Sequence, residues 1–221
     1  PDTTLSPNQS EQADDYFNTK LYTGTGSDNN AITGVGFQPD WSWLKERTSN
    51  TGGGNFHFWH DSSRGASKVL QSNTNGTESD VGSVFSFDAD GFTVGGAGGG
   101  TGNQNGENFV AWNWKINGGT TTTDNNGSVT STIQSNPEIG ISIALFNVAS
   151  QGNFSFGHGL GSVPEMFWWK ARNGTQNWIV YHFKKTTSVP SQSGIYLNST
   201  LAGFTTGGNW ITEVSSTRVA I

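Results

Sequence analysis

The sequence predicts an all-β protein made of two related β-sandwich or jelly-roll-like units that arose by internal duplication. Three observations carry that expectation. The composition suits short strands joined by many turns, with 31 glycines in 221 residues, abundant Asn, Ser and Thr, and only 13% charged residues. Glycine reaches positive φ without steric penalty, and Asn, Ser and Thr bond their own backbone in turns. Apolar and polar residues alternate over short runs, the period of a half-buried strand, and no window holds a sustained 3.6-residue stripe. Finally, a series of short motifs recurs in order along the chain, which marks a repeat.

Residues 1–15 (PDTTLSPNQSEQADD) read as a linker or the tail of an upstream element, and the start at Pro1 as that of a fragment or processed chain. Strands are expected at Trp41-Ser42-Trp43, Phe56-His57-Phe58-Trp59, Val84-Phe85-Ser86-Phe87, Phe92-Thr93-Val94 and Val110-Ala111-Trp112-Asn113-Trp114. Turn clusters such as Ser49 to Gly54 and Asn103 to Gly106 separate them. The best helical candidate, Ser63 to Leu70, is short. The first β unit is expected over residues 16–116 and the second over 139–221. Between them, 117–138 is dominated by Gly, Thr, Ser and Asn and reads as a linker or exposed loop.

The repeat rests on four anchors. Leu21-Tyr22 matches Leu145-Phe146 at an offset of 124, and Gly34-Val35-Gly36 matches Gly159-Leu160-Gly161 at 125. Pro39 to Arg47 matches Pro164 to Arg172 without a gap, again at 125. Val69 to Ser72 matches Tyr196 to Ser199 at 127. The step from Leu70 to Trp112 is 42 residues, and the same step from Leu197 passes Ile221, so the second copy is expected to be incomplete. If Pro39 to Arg47 is a strand, Trp41, Trp43 and Lys45 share one face and Ser42 and Leu44 the other. In the second copy both faces are apolar, so that strand is expected to be the more deeply covered.

Charge narrows the function classes. The net charge is −6 and the pI about 5.0, with Lys and Arg scattered singly. Nucleic-acid binding, which needs a basic stripe, is not expected. No apolar run approaches the roughly 18 residues of a membrane-spanning helix. The absence of Cys rules out disulfides, Cys-zinc sites and thiol catalysis, which leaves burial and oligomerisation to hold the fold. Nine tryptophans supply apolar area for a core.

Several motifs admit two readings. Trp59-His60-Asp61-Ser62-Ser63-Arg64-Gly65 gathers an aromatic ring, an imidazole, a carboxylate and a guanidinium. It reads as a sugar-binding edge, or as a β-turn in which Asp61 and Arg64 pair locally; ordinary turn chemistry favours the second. Asp88-Ala89-Asp90-Gly91 begins like a calcium loop, but the twelfth position is Gly99 rather than Glu, and a tight turn between strands is the better reading. Gly98 to Gly102 lacks the Gly-Lys-Ser/Thr end of a phosphate loop. His57, His60, His158 and His182 show no zinc spacing, and no Gly-x-Ser-x-Gly elbow is present. A glycosidase-like carboxylate pair drawn from Asp61, Asp88, Asp90 or Glu107 cannot be placed by sequence, so no catalytic residue, cofactor or metal is assigned.

Beyond these readings, a longer series of motifs resembles a β-rich domain family of virion proteins from tailed phages, especially marine ones. The series runs Tyr22 to Gly26, Ile32 to Asp40, Trp43 to Lys45, Asp61 to Gly65, Phe87 to Phe92 and Val110 to Lys115. The second half adds Gly157 to Gly161, Pro164, Lys170 and Asn177 to His182, so the resemblance covers about residues 16–221. It implies a tail-fibre or virion surface component, extracellular on the particle, that attaches to a host-surface glycan or receptor. Expected partners are copies of itself, as a trimer, and other virion proteins. The alternative is a capsid or tail decoration protein without a ligand; a surface-polysaccharide depolymerase is less favoured. The resemblance carries over no site residues; from residue chemistry alone, the candidate ligand contacts are Trp59, His60, Asp61 and Arg64, with Trp178, Tyr181 and His182.

Overall fold

The computed structural model describes residues 12–48, 56–80, 84–96, 102–149, 152–183, 193–201, 203–205 and 210–221. The protein is all-β, in several small antiparallel sheets. Among the described residues the one helical element is a 3-10 turn, Ala13–Asp15. Two compact units form. The first holds the described residues up to Val69 together with Ser79–Gly118; the second holds Leu70–Glu78 and Gly119–Ile221.

In the first unit, β1 (Phe17–Thr23), β3 (Trp41–Glu46), β4 (His57–Asp61) and β8 (Asn108–Trp114) pair in the order β1-β8-β3-β4. A second sheet runs β2 (Asn30–Thr33), β7 (Gly91–Val94) and β6 (Val84–Asp88). Strand alternation sends Leu44, Phe58 and Ala111 from the first sheet into one apolar cluster with Ile32, Val84, Phe92 and Val94 from the second. Leu44, Val84, Phe92, Val94 and Ala111 are wholly buried there. Tyr22 joins them, stacked on Phe109 at 5.2 Å, with its hydroxyl donating to the Gly102 carbonyl at 2.6 Å.

The Asp88–Gly91 segment is the expected tight turn, because Asp88 pairs with Gly91 across the β6–β7 hairpin. Asp90 at its tip also accepts the backbone N–H groups of Gly34 and Gly36, at 2.9 and 2.7 Å. Gly91 is needed where it is: its φ is +150°, and a Cβ would lie 1.9 Å from the Ile32 carbonyl oxygen.

The second unit contains β5 (Leu70–Gln71) and β9 (Thr122–Asp124) to β18 (Arg218–Ala220). Its sheets are β11-β10-β9, β12-β18-β17 and β13-β14-β15-β16, where β10 is Ser131–Asn136, β11 Ile141–Phe146, β12 Ser155–Gly157, β13 Met166–Trp169, β14 Ile179–His182, β15 Ser193–Tyr196, β16 Phe204–Thr205 and β17 Glu213–Val214. The Leu70–Glu78 segment is tied in by three contacts. The Trp178 indole N–H donates to the Gln71 carbonyl at 2.9 Å, the Glu78 N–H donates to the Arg172 carbonyl at 2.8 Å, and Arg172 forks onto the Glu78 carboxylate.

Three expectations change. Ser63 to Leu70 is not a helix: it is a run of turns in which the Asp61 carboxylate accepts the Arg64 N–H and Gly65 sits at φ +103°. The stretch read as a linker, 117–138, carries β9 and β10, and Ser131 and Gln134 are wholly buried within it. The strand from the second copy is not the more deeply covered one. β3 pairs on both sides, with β8 and β4, and buries Ser42 and Leu44 completely. β13 ends its sheet, with β14 on one side, and Met166 is 47% exposed. The expected turn at Ser49 to Gly54, and most of the Gly98 to Gly102 segment, lie outside the described residues.

Candidate functional site

Cross-strand register assembles a surface that no single motif announces. Residues directly opposite on antiparallel strands share a face. Phe17, Trp114, Trp41 and Asp61 therefore form one row across β1-β8-β3-β4, and Thr19, Trp112, Trp43 and Trp59 form the next. Leu21, Val110, Lys45 and His57 form the third. Five of the nine tryptophans thus occupy one face of one sheet. Trp41 and Trp114 stack at 4.0 Å, Trp43 meets Trp59 and Trp112 at 5.3 and 5.4 Å, and Phe17 leans on Trp114 at 5.0 Å.

This face is only partly covered. Trp41, Trp43, Trp112 and Trp114 are half-buried, while Phe17 and Leu21 are 39% and 56% exposed. The Trp43 indole N–H donates to His57 Nδ1 at 2.9 Å, which fixes the imidazole as an acceptor at that nitrogen. Burial, and then the Lys45 charge, hold the His57 pKa below its ordinary value. The arrangement presents flat ring surfaces, with Lys45 and Thr19 as polar groups among them. Flat aromatic area with a few polar groups suits ligands having an apolar face and a polar edge.

The candidates named from sequence separate in space. Trp59 lies on the aromatic face and is nearly buried. His60, the next residue, points the opposite way into the first unit, with Nδ1 2.9 Å from the Ala66 carbonyl. Burial pushes its pKa down to about 3, against the Ala66 hydrogen bond. Asp61 and Arg64 pair with each other: Arg64 Nε contacts one carboxylate oxygen, its N–H donates to the other at 2.8 Å, and Nη2 donates to the Trp59 carbonyl at 2.9 Å. Their side chains are almost wholly buried, which is the local pairing of a turn.

In the second unit, Trp178 is buried and anchored on Gln71. Tyr181 is buried and stacked on Phe167 at 4.9 Å, and half-buried His182 stacks on Phe183 at 5.3 Å. His158 is also structural: Nε2 lies 3.1 Å from the Ser215 carbonyl, and Nδ1 accepts the Leu160 N–H at 3.2 Å.

Trp41, Trp43, Trp112, Trp114 and His57 were not singled out as site residues. The period-2 spacing within 41/43 and 112/114 was visible, but only the β3–β8 register puts both pairs on one face. Asp40, wholly buried, looks chemically notable but is structural. Its Oδ2 accepts the N–H groups of Ile116, Asn117 and Gly118 at 2.7, 2.8 and 2.8 Å, and its Oδ1 accepts Ser62 Oγ at 3.0 Å. Among the described residues no group of three or more His, Cys, Asp or Glu is placed to hold a metal ion.

No curated protein and no solved structure matches the chain. The sequence profile of a domain family of unknown function, DUF7483, matches residues 12–221, and the chain belongs to that family.

Proposed function

We propose that the chain is a virion surface or tail-fibre component that attaches to a host-surface glycan through the aromatic face of its first unit. The observation that carries this reading is the row of partly exposed indoles of Trp41, Trp43, Trp112 and Trp114, extended by the exposed Phe17 and Leu21. Large uncovered apolar area on a folded unit marks a binding surface. A pyranose offers a C–H face to stack on indoles and a hydroxyl rim for polar neighbours. The phage-virion setting rests on the motif series from Tyr22 to Lys115 and from Gly157 to His182. Assembly of copies into a trimer would multiply weak single-site contacts into avidity. No catalytic step belongs to this reading, and Asp61, a candidate carboxylate, is engaged by Arg64.

The finer architecture belongs to the same proposal: a β-sandwich first unit and a second unit that arose from it by duplication. Two local likenesses support the duplication. Gly34 and Gly36 sit at φ +79° and +92°, and their counterparts Gly159 and Gly161 at +69° and +68°. Lys45 Nζ donates to the carbonyl of the next residue at 2.8 Å, and Lys170 Nζ does the same at 2.7 Å. Trp43 and Trp168 are then equivalent positions.

The test is retention of the chain on immobilised bacterial lipopolysaccharides and capsular polysaccharides. Binding to a subset, lost in Trp112→Ala and Trp41→Ala with folding intact, is expected. Binding accompanied by release of reducing sugar would favour the depolymerase reading. Labelling of isolated lattice positions on a particle, with no glycan retained, would favour the decoration protein.

A further inference from the structure

The uncovered face of the first sheet is aromatic at one end and cationic at the other. Its tryptophan rows give way to the row Leu21, Val110, Lys45 and His57. One step further, Thr23 pairs with Asn108, and the Arg47 N–H continues the β3–β8 ladder onto the Asn108 carbonyl at 2.7 Å. Alternation along β3 and its continuation sets Trp41, Trp43, Lys45 and Arg47 on one side of the sheet, successive members about 7 Å apart.

This end offers donors and no free carboxylate. Arg47 is exposed, and among the described residues no hydrogen bond or ion pair engages its guanidinium. Lys45 Nζ gives one N–H to the Glu46 carbonyl at 2.8 Å, and its other donors remain for a ligand. Thr23 Oγ1 donates to Asn108 Oδ1 at 2.9 Å, so the Asn108 side chain presents its Nδ2 donors. The neighbouring carboxylates are directed elsewhere. Glu46 and Glu107 belong to the opposite face, 4% and 1% exposed, and Asp61 in the aromatic rows is held by Arg64. The cationic end therefore contrasts with the chain as a whole, whose net charge is −6.

We propose that the ligand of this face is an acidic polysaccharide, with a uronic-acid carboxylate on Arg47 and Lys45 and sugar rings stacked on Trp43 and Trp112. The proposal rests on the glycan reading of the indole face and adds the chemical class of the ligand. A carboxylate only accepts hydrogen bonds, supplies the charge complementary to the two cations and matches the guanidinium fork in two parallel bonds. A uronic acid bears that carboxylate directly on the ring, which suits a cation placed about 7 Å along the strand from the Trp43 indole. A neutral glycan would draw only hydroxyl contacts from the same donors.

Retention of the whole chain is measured on a panel of uronic-acid-bearing, phosphate-bearing and neutral bacterial polysaccharides, with each uronic-acid member also supplied in carboxyl-reduced form. Uronic-acid members are expected to be retained, their reduced forms to bind at least about tenfold more weakly, and binding to fall as NaCl rises from about 0.05 to about 0.5 M. Arg47→Gln and Lys45→Gln, with folding checked by circular dichroism, are each expected to weaken binding at least about fivefold and to flatten the salt dependence. Equal binding of reduced or neutral members overturns the acidic-ligand assignment, as does undiminished binding by either Gln variant; the indole reading survives both results if Trp112→Ala still abolishes retention. Preference for phosphate-bearing members overturns the carboxylate. Retention of no member, or retention indifferent to Trp112→Ala, overturns the glycan reading and this proposal with it.

Discussion

Acid should destabilise the first unit through His60, and the size of the effect follows from burial. The ring is wholly buried on the inward face of β4 and its pKa is pushed down to about 3. In the unfolded chain it titrates near 6.5. Between those values the unfolded state binds a proton that the folded state refuses, so stability falls as the pH is lowered. The contribution of the neutral buried ring is fully present above about pH 6.5 and is lost progressively towards pH 3. Linkage gives a loss of about 2 kcal/mol on going from pH 7.5 to 5, and about 5 kcal/mol once both states are protonated. His60→Asn removes the titration while keeping an amide N–H to donate to the Ala66 carbonyl. Urea unfolding of both proteins at about pH 7.5 and about pH 5 is the assay, and the readout is the difference between their losses. His57 and His158 are also held down by burial and add acid sensitivity to both proteins, which the difference cancels. An identical loss in wild type and His60→Asn would refute the reasoning.

Two further substitutions test the scaffold. Asp40→Ala strips the acceptor from three backbone N–H groups, of which Ile116 is buried, and is expected to cost about 3 kcal/mol or more in urea unfolding; Asp40→Asn, which keeps one acceptor oxygen, should cost less. Gly91→Ala drives a Cβ towards the Ile32 carbonyl at a φ that L-residues rarely adopt, and should lower stability by about 3 kcal/mol, read in the same assay.

What could be read from the sequence is what local chemistry decides. The alternation at Trp41 to Leu44 reports a strand with two distinct faces, and the burial of Ser42 and Leu44 matches it. Asp88 to Gly91 reports its turn, and Asp61 with Arg64 reports its own ion pair. What stayed hidden depends on partners distant in the chain. β10 holds only one apolar residue, Ile133, and Ser131 earns its buried place by donating its hydroxyl to the Gly157 carbonyl at 2.8 Å. Polar content therefore misled towards a linker. The apolar faces of Met166 to Trp169 suggested depth, but coverage depends on sheet order, and β13 stands at an end. The five-tryptophan face follows from the β3–β8 register, which no local pattern encodes.

The central claim is that the indole face binds glycan, and Trp112, at its middle between Thr19 and Trp43, is the residue to probe. Wild-type chain and Trp112→Ala are titrated with a retained bacterial polysaccharide while tryptophan fluorescence is recorded, with circular dichroism as the folding control. The account predicts a saturable emission change in the wild type and at least about a tenfold weaker interaction in the variant, the penalty of losing a large aromatic contact at a binding surface. Equal affinity in a folded Trp112→Ala chain would contradict it.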